Sequence, residues 1–215
     1  MNKAVIFDLD GTLLDTLPDL QENVNIMLKH FGFPTVNREK VRLSIGNGAT
    51  KLVERVLGDN YDPENFDEYF KYYSKLYDDS KSPKTNFFEG IPEVLRELKK
   101  RGYKLAICTN KPQVPTDNAC EKYFKEFGFE IAVGLSDKVV KKPDPQATLN
   151  ILEKLGVERK NAYFVGDGET DVETAKNAGI KSIAVLWGYR DKEILEKAGA
   201  KIFAIKPLDL LDLIG

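Results

Sequence analysis

The chain has 215 residues, of which 42% are hydrophobic, and its 32 basic and 34 acidic residues give a formal net charge of -2. This length fits one large domain, or a domain with an insertion, and suffices to bury a core. A nearly neutral charge without a basic run argues against nucleic-acid binding, and no apolar run is long enough to span a bilayer. The start of the chain lacks a signal-peptide pattern. We therefore expect a cytoplasmic protein with reduced cysteines and no membrane partner, while the oligomeric state stays open.

The first indication of chemical function is a pair of carboxylates that follows a short apolar run. Residues 4–7 predict a buried strand, Asp8 and Asp10 follow it, and Gly11 ends it. In open α/β sheets, ligands bind outside the carboxyl ends of the strands. Two carboxylates held close there repel each other unless a cation lies between them, and Mg²⁺ is the simplest cation for oxygen ligands. A carboxylate so placed can also attack phosphorus; the alternative is an ordinary turn.

Residues 15–86 differ from the rest of the chain, because their apolar residues recur at helical spacing. The predicted helices cover about 17–31, 38–43 and 49–57, and a fourth begins near 62. Tyrosines share one face of the fourth helix, which core packing explains better than base stacking. We therefore predict a small all-helical domain, residues 15–86, inserted between residues 1–14 and 87–215.

From residue 89 onward, strands and helices alternate. Strands are predicted at 103–108, 130–134, 162–165, 182–186 and 201–204, with helices near 91–101, 114–127, 145–155, 172–178, 192–198 and 208–214. Such alternation predicts right-handed crossovers and a parallel sheet covered on both faces. The fold class is therefore α/β: a parallel Rossmann-like sheet core carrying the helical insertion.

Two later segments bring phosphate-binding chemistry to strand and helix ends. Thr109 and Asn110 follow the predicted strand 103–108, where a hydroxyl and backbone N–H groups can hold a phosphate. The alternative is an ordinary turn or helix cap. Lys141 and Lys142 stand just before a helix, where a lysine can neutralise a phosphoryl oxygen or simply face solvent.

A second acidic cluster follows the predicted strand 162–165. Asp167 stands where a third metal ligand would be expected, and Asp171 follows four residues later. Asp171 has the alternative of being a helix N-cap. Each of these signals has an ordinary explanation when taken alone. Together they indicate one site across the sheet edge, since three strands end in chemistry suited to phosphate or metal.

The ordered motifs resemble those of the haloacid dehalogenase-like phosphotransferases, and the resemblance covers essentially the whole chain. The matching residues are Asp8–Thr12, Thr109–Asn110, Lys142–Pro143, and Gly166–Asp167 with Asp171. The inserted helical domain is similar to the α-helical cap of that family. Segments 41–53, 109–112 and 187–189 are further similar to phosphoglycolate phosphatases.

The resemblance implies a role for each core residue. Asp8 is the nucleophile, and Asp10 is the general acid that later activates water. Mg²⁺ binds Asp8, the backbone carbonyl of Asp10 and Asp167. Asp171 supports the metal's water shell or Lys142 from a second layer. The phosphoryl oxygens are held by Thr109, the Asn110 backbone and Lys142, with Lys142 preferred to Lys141 because it adjoins Pro143.

The cap of such enzymes closes over the site and excludes water. We expect Arg42 and Asn47, in and beside the loop 46–48, to meet a carboxylate at the far end of the substrate. The alternative is that these are ordinary solvated side chains.

The function implied is a Mg²⁺-dependent phosphomonoester hydrolase for a small anionic phosphate, with 2-phosphoglycolate as the first candidate and an aspartyl-phosphate intermediate. Within the same superfamily, an inorganic pyrophosphatase or a sugar-phosphate mutase resembling β-phosphoglucomutase is the alternative. A haloacid dehalogenase is disfavoured, because carbon–halogen displacement does not need the acid–base residue Asp10. A non-catalytic phosphate-sensing module is the alternative from a different class, and the complete set of acidic residues and lysine argues against it.

Overall fold

The computed structural model describes residues 2–46, 48–80 and 82–215. The chain divides into two compact units, one formed by Met1–Leu14 and Phe87–Gly215 and the other by Asp15–Asn86. The strands are β1 Lys3–Phe7, β2 Leu14–Asp15, β3 Asn86–Phe87, β4 Tyr103–Pro112, β5 Ile131–Leu135, β6 Ala162–Gly166, β7 Lys181–Val185 and β8 Phe203–Ala204. The α-helices are α1 Leu17–His30, α2 Arg38–Ser44, α3 Ala49–Leu57, α4 Phe66–Asp79, α5 Ile91–Lys100, α6 Gln113–Ala119, α7 Gln146–Leu155, α8 Glu169–Ala178, α9 Lys192–Ala198 and α10 Leu210–Leu213. None of the helices in the described ranges is both long and apolar enough to cross a membrane.

The larger unit is built on a six-stranded parallel sheet. Its strand order is β5–β4–β1–β6–β7–β8, and every neighbouring pair runs parallel. Helices make the crossovers between successive strands, as parallel pairing requires. The predicted α/β fold class is therefore confirmed. The first strand, β1, lies in the middle of the sheet between β4 and β6.

Strand β1 is buried on both faces, which explains its continuous apolar sequence. Because successive side chains of a strand point to opposite faces, Val5 and Phe7 pack in one hydrophobic cluster and Ala4 and Ile6 in another. The first cluster includes the apolar face of α5 and residues of α10. The second includes the buried face of α7 and Ala175 of α8. Two helical layers thus hold the central strand rigidly, and with it the residues that follow its carboxyl end.

The smaller unit consists of α1 to α4 and their connections. In α1, Leu20, Val24 and Met27 recur at helical spacing and are buried. The Asn37 side chain caps α2 by accepting a hydrogen bond from the Lys40 N–H at 2.9 Å. Of the tyrosines predicted on one face of α4, Tyr73 is fully buried. Packing therefore accounts for this aromatic stripe, as the spacing predicted.

Several element ends differ from the sequence prediction. Strand β4 does not stop at Cys108 but continues to Pro112, because Pro112 pairs with Leu135 of β5 after a register irregularity. The helix predicted over 114–127 is divided into α6, a wider π-type turn and a tight 3₁₀ turn. Helix α8 begins at Glu169, three residues earlier than predicted. Asp171 is therefore not an N-cap: its carboxylate lies in the first turn and accepts the Gly168 N–H at 2.9 Å.

Candidate active site

The register of the sheet brings three strand ends to one edge. Phe7, the last residue of β1, pairs with Ile107 of β4 and with Val165 of β6. The next residues, Asp8, Cys108 and Gly166, therefore lie at the same level of the sheet. The topology thus gathers side chains that are more than 100 residues apart in the sequence.

Lys142 lies between two carboxylates at this edge. Its Nζ donates to Asp8 Oδ1 at 2.8 Å and to Asp171 Oδ1 at 2.6 Å. Its side chain is 4% exposed. Burial alone would lower the pKa of Lys142, but the carboxylates of Asp171 and Asp8 outweigh burial and raise it. The ammonium is therefore held charged beside Asp8, whereas the neighbouring Lys141 is exposed.

Asp167 is a buried carboxylate close to Asp8. Its Oδ1 accepts the Thr12 hydroxyl at 3.1 Å, and its Oδ2 accepts the Tyr189 N–H at 2.7 Å. Burial, followed by repulsion from Asp8 and Asp171, raises the pKa of Asp167 to about 8. An ionised Asp167 thus accepts two hydrogen bonds, but the positive charge nearby is too small to offset burial and the repulsion from Asp8 and Asp171.

The three carboxylates of Asp8, Asp167 and Asp171 fit a metal ion. Each offers one oxygen, and these oxygens all lie within 4.8 Å of one another. Burial, followed by the charge of Asp8, also raises the pKa of Asp171 to about 6, against the opposing effect of Lys142. Buried carboxylates that resist ionisation in each other's presence are stabilised by a cation between them. The donor set therefore suits a divalent ion that prefers oxygen ligands.

Asp10 does not belong to this triad through its side chain. Both of its carboxylate oxygens accept from Lys111 Nζ, at 3.0 and 3.1 Å. Its backbone carbonyl, which the family resemblance implies as a metal ligand, stays a prediction. Lys111 was not among the predicted site residues. Its place in the segment 109–112 was the only signal in the sequence, since spacing alone does not tell where a flexible lysine points.

The predicted phosphate-binding pair, Thr109 and Asn110, lies within the register irregularity of β4. Thr109 is buried, and its Oγ1 accepts the Lys111 N–H at 3.3 Å. The Asn110 side chain makes two hydrogen bonds to the backbone of Lys142. Its Oδ1 accepts the Lys142 N–H at 2.8 Å, and its Nδ2 donates to the Lys142 carbonyl at 3.3 Å. The amide side chain thus positions the lysine backbone, while the predicted role of the Asn110 N–H toward phosphate stays a prediction.

The two residues predicted in the helical unit are less defined. Arg42 makes a two-pronged ion pair with Glu39, with Nε–Oε2 and Nη2–Oε1 distances of 2.8 Å. Asn47 lies outside the described residues. Their expected contact with substrate stays a prediction.

Two glycines let the chain approach Asp167 closely. A Cβ at Gly188 would overlap the Asp167 side chain and the Gly11 carbonyl. A Cβ at Gly11, whose φ is +85°, would overlap the Asp167 carboxylate. Only glycine fits both places, because any side chain would displace the acidic residue. The similarity of the segment 187–189 to phosphoglycolate phosphatases was the signal for Gly188, but its contact with Asp167 could not be read from the sequence.

Comparisons with known proteins agree with this geometry. The sequence profile of the haloacid dehalogenase-like hydrolase family matches residues 5–185. The chain is 37% identical over 202 residues to phosphoglycolate phosphatase 1 of Pseudomonas aeruginosa, covering 91% of this chain and 74% of that protein. It is 34% identical over 197 residues to the phosphoglycolate phosphatase of Aliivibrio fischeri, covering 89% of this chain and 87% of the relative.

Solved structures share the whole architecture. A Lactobacillus delbrueckii subsp. bulgaricus protein, provisionally assigned as a phosphoglycolate phosphatase, superposes with a TM-score of 0.92 at 29% identity, covering 100% of this chain and 99% of that one. A Thermotoga maritima protein, provisionally assigned as a β-phosphoglucomutase, superposes with a TM-score of 0.72 at 28% identity, covering 99% and 98%. The chain therefore belongs to the haloacid dehalogenase-like hydrolase family, and within it to the phosphatases.

Proposed function

We propose that this protein is a Mg²⁺-dependent phosphomonoester hydrolase that acts on a small anionic phosphate, with 2-phosphoglycolate as the leading substrate. One observation carries the proposal. The carboxylates of Asp8, Asp167 and Asp171 share a buried site with the ammonium of Lys142, and their ligand oxygens lie within 4.8 Å of one another. This arrangement offers a nucleophile, a cation site and a fixed positive charge at one sheet edge.

In the proposed reaction, an Asp8 carboxylate oxygen attacks the phosphorus atom of the ester. A bond forms between that oxygen and phosphorus, and the bond from phosphorus to the leaving oxygen breaks. Asp10 gives a proton to the leaving oxygen. Asp10 then takes a proton from a water molecule, which attacks the aspartyl-phosphate at phosphorus, so that Asp8 and free phosphate are released.

Charge stabilisation makes up much of phosphoryl-transfer catalysis. Mg²⁺ held by Asp8, Asp167 and the Asp10 carbonyl, with Asp171 behind it, would neutralise charge on the phosphoryl group. Lys142 is fixed by Asp171 and by the Asn110 side chain, which supports its role as a second positive charge beside Asp8. The Thr109 hydroxyl and the Asn110 N–H are the proposed donors to the remaining phosphoryl oxygens.

The substrate assignment rests on the relatives. Two of them are named phosphoglycolate phosphatases, at 34–37% identity over about nine-tenths of this chain. A small substrate with a second anionic group needs a second cation, and Arg42 is one candidate. If Arg42→Ala leaves the turnover of 2-phosphoglycolate unchanged, that role for Arg42 is wrong.

The experiment is a phosphate-release screen on small esters and pyrophosphate, with Mg²⁺ and with EDTA. We expect 2-phosphoglycolate to be hydrolysed with Mg²⁺, and both EDTA and Asp8→Asn to abolish turnover. No release from any substrate by a folded, Mg²⁺-supplied protein would refute the proposal. The Thermotoga maritima neighbour keeps a mutase as the second candidate; conversion of β-glucose 1-phosphate to glucose 6-phosphate, without phosphate release, would favour it.

A further inference from the structure

A buried lysine outside the metal triad contacts the proposed acid–base residue. Lys111 Nζ lies 3.0 Å from Asp10 Oδ1 and 3.1 Å from Oδ2. The side chain of Lys111 is 8% exposed and that of Asp10 is 19% exposed. A lysine side chain is rarely so buried unless it is paired. The pair joins the loop after β1 to the end of β4, at the edge where the site is formed.

The backbone at Lys111 is held in place by the neighbouring strand. A Cβ at Gly134 of β5 would lie 2.7 Å from the Lys111 carbonyl oxygen and 2.7 Å from Thr116 Oγ1. The Gly134 N–H donates to Gln113 Oε1 at 2.7 Å, and the Thr116 hydroxyl donates to the Pro112 carbonyl at 2.9 Å. The lysine is therefore mounted on a closely packed segment, unlike a solvated surface lysine.

The position of Lys111 relates it to the leaving group of the substrate. A general acid must come within about 3 Å of the oxygen that it protonates. Since Lys111 Nζ is 3.0 Å from the Asp10 carboxylate, an oxygen that Asp10 can reach from this position lies within about 6 Å of the ammonium. In 2-phosphoglycolate the carboxylate is separated from the leaving oxygen by one carbon, so it falls within this range.

We propose that Lys111 recognises a carboxylate adjacent to the leaving oxygen of the substrate, and that this contact releases the Asp10 carboxylate toward the leaving oxygen. The inference rests on the proposed phosphatase function and names its specificity-determining residue. Two carboxylates facing one buried ammonium repel each other. The arriving substrate carboxylate therefore competes with Asp10 for Lys111. A phosphate ester without this carboxylate leaves Asp10 bound to Lys111 and is turned over slowly.

The first test uses the wild-type protein with Mg²⁺ and three esters. They are 2-phosphoglycolate, its methyl ester, in which the carboxylate is masked, and ethyl phosphate. We expect kcat/KM for 2-phosphoglycolate to exceed that for the other two by about 10- to 100-fold, the usual range for a charge-assisted hydrogen bond. Part of this difference lies in kcat, because release of Asp10 affects the chemical step and not only binding.

The second test asks whether Lys111 is the cause of that preference. Lys111→Met keeps most of the side-chain volume and removes the charge. We expect it to lower kcat/KM for 2-phosphoglycolate by about 10- to 100-fold and to raise the values for ethyl phosphate and the methyl ester, because Asp10 is no longer held by the lysine. The control Lys138→Met removes the same charge from an exposed residue and should leave all three values as in the wild type. Lys111→Arg, which retains the charge, should restore part of the preference.

The outcomes separate this inference from the proposed function. A wild-type protein that hydrolyses none of the esters refutes both. A wild type that hydrolyses the acid and its methyl ester equally well refutes the inference alone. An equal loss on all three esters in Lys111→Met means that the lysine only supports the fold and overturns the inference, as does an unchanged preference. If Lys111→Met does not fold, as judged by circular dichroism, the same comparison is made with Lys111→Gln, and the wild-type comparison still decides.

Discussion

Lys142 and Asp171 form a buried ion pair in which Nζ lies 2.6 Å from Oδ1. The same ammonium also contacts Asp8 at 2.8 Å, so Asp171 balances the attraction that draws the lysine toward the proposed nucleophile. Asp171 in turn is held by the Gly168 N–H at the start of α8. The position of Lys142 therefore depends on α8. This helix follows β6, which pairs with β1 on the side opposite to β4.

Removing the charge of the Asp171 carboxylate should slow the reaction. In Asp171→Asn, Lys142 loses a charged partner and is held by Asp8 alone, which ties up the nucleophile and moves the ammonium from the phosphoryl group. We expect kcat to fall by about 10- to 150-fold, as for the loss of a hydrogen bond to a charged group. Steady-state phosphate release measures it. Glu173→Gln, on the same helix but outside the site, is the control, and equal activity of the two variants would contradict the role given to Asp171.

Asp167 should make the metal-free protein sensitive to pH. Burial and the charges of Asp8 and Asp171 raise its pKa from an ordinary 3.8 to about 8. Between these values the folded state binds a proton that the unfolded state has lost, so this group lowers stability as pH rises from about 4 to 8. Asp167→Asn should therefore be more stable than the wild type by a few kcal/mol at pH 8 in EDTA, with the difference vanishing near pH 4. Urea unfolding at several pH values measures it.

Mg²⁺ should narrow that difference. A ligand that binds only the folded state adds about 2.7 kcal/mol to the free energy of unfolding when its free concentration is about 100 times its dissociation constant. We expect this gain in the wild type and in the exposed-site control Asp212→Asn, and almost none in Asp167→Asn. A variant that Mg²⁺ stabilises as much as the wild type would show that Asp167 is not a ligand.

Gly188 should tolerate no side chain. In Gly188→Ala the new Cβ overlaps Asp167 and the Gly11 carbonyl, so Asp167 must move out of the triad. We expect activity to fall at least 100-fold and Mg²⁺ stabilisation to be lost, since a displacement of about 1 Å at a catalytic group costs that much. Gly32→Ala is the control: its φ of +77° makes the substitution strained, but no atom lies within 4 Å of the new Cβ. It should lower stability and leave activity unchanged.

The sequence was sufficient for the parts of the site that follow from strand order. The apolar run 4–7 predicted a buried strand, and a parallel sheet brings the residues after its strands to one edge. That argument predicts Asp8, Thr109 and Asp167 in the same region of the molecule. The α/β class followed from alternating helix and strand patterns.

Contacts that depend on the path of a loop could not be predicted from the sequence. Lys111 lies within the register irregularity between Cys108 and Pro112, and the direction of its long side chain depends on how β5 packs against that segment. The Tyr189 N–H reaches Asp167 because Gly188 allows a close approach, which no spacing rule gives. Helix α8 starts early because the Asp171 carboxylate accepts the Gly168 N–H, although glycine is a weak helix-forming residue.

Asp19 should be sensitive to substitution, because it is a buried carboxylate with several hydrogen-bond donors. This buried carboxylate of α1 accepts the Thr85 hydroxyl at 2.6 Å, the Thr85 N–H at 2.7 Å and the Lys84 N–H at 3.2 Å. It thereby fastens the end of the unit, where the chain leaves it, to the start of its first helix. Asp19→Ala leaves these donors without their partner, and an unsatisfied buried donor costs about 1–3 kcal/mol.

We expect Asp19→Ala to lower the free energy of unfolding by about 3 kcal/mol, measured by urea unfolding. Glu22→Ala is a matched control, because Glu22 lies one turn further along α1 and pairs with the Lys84 side chain at 3.0 Å on the surface. Both members of this pair are about half exposed, and such pairs contribute less than about 1 kcal/mol. Equal effects of the two substitutions would mean that the hydrogen bonds to Asp19 are replaced by water in solution. If Asp19→Ala has a large effect and Glu22→Ala does not, the stability of the helical unit depends on the hydrogen bonds to the Asp19 carboxylate.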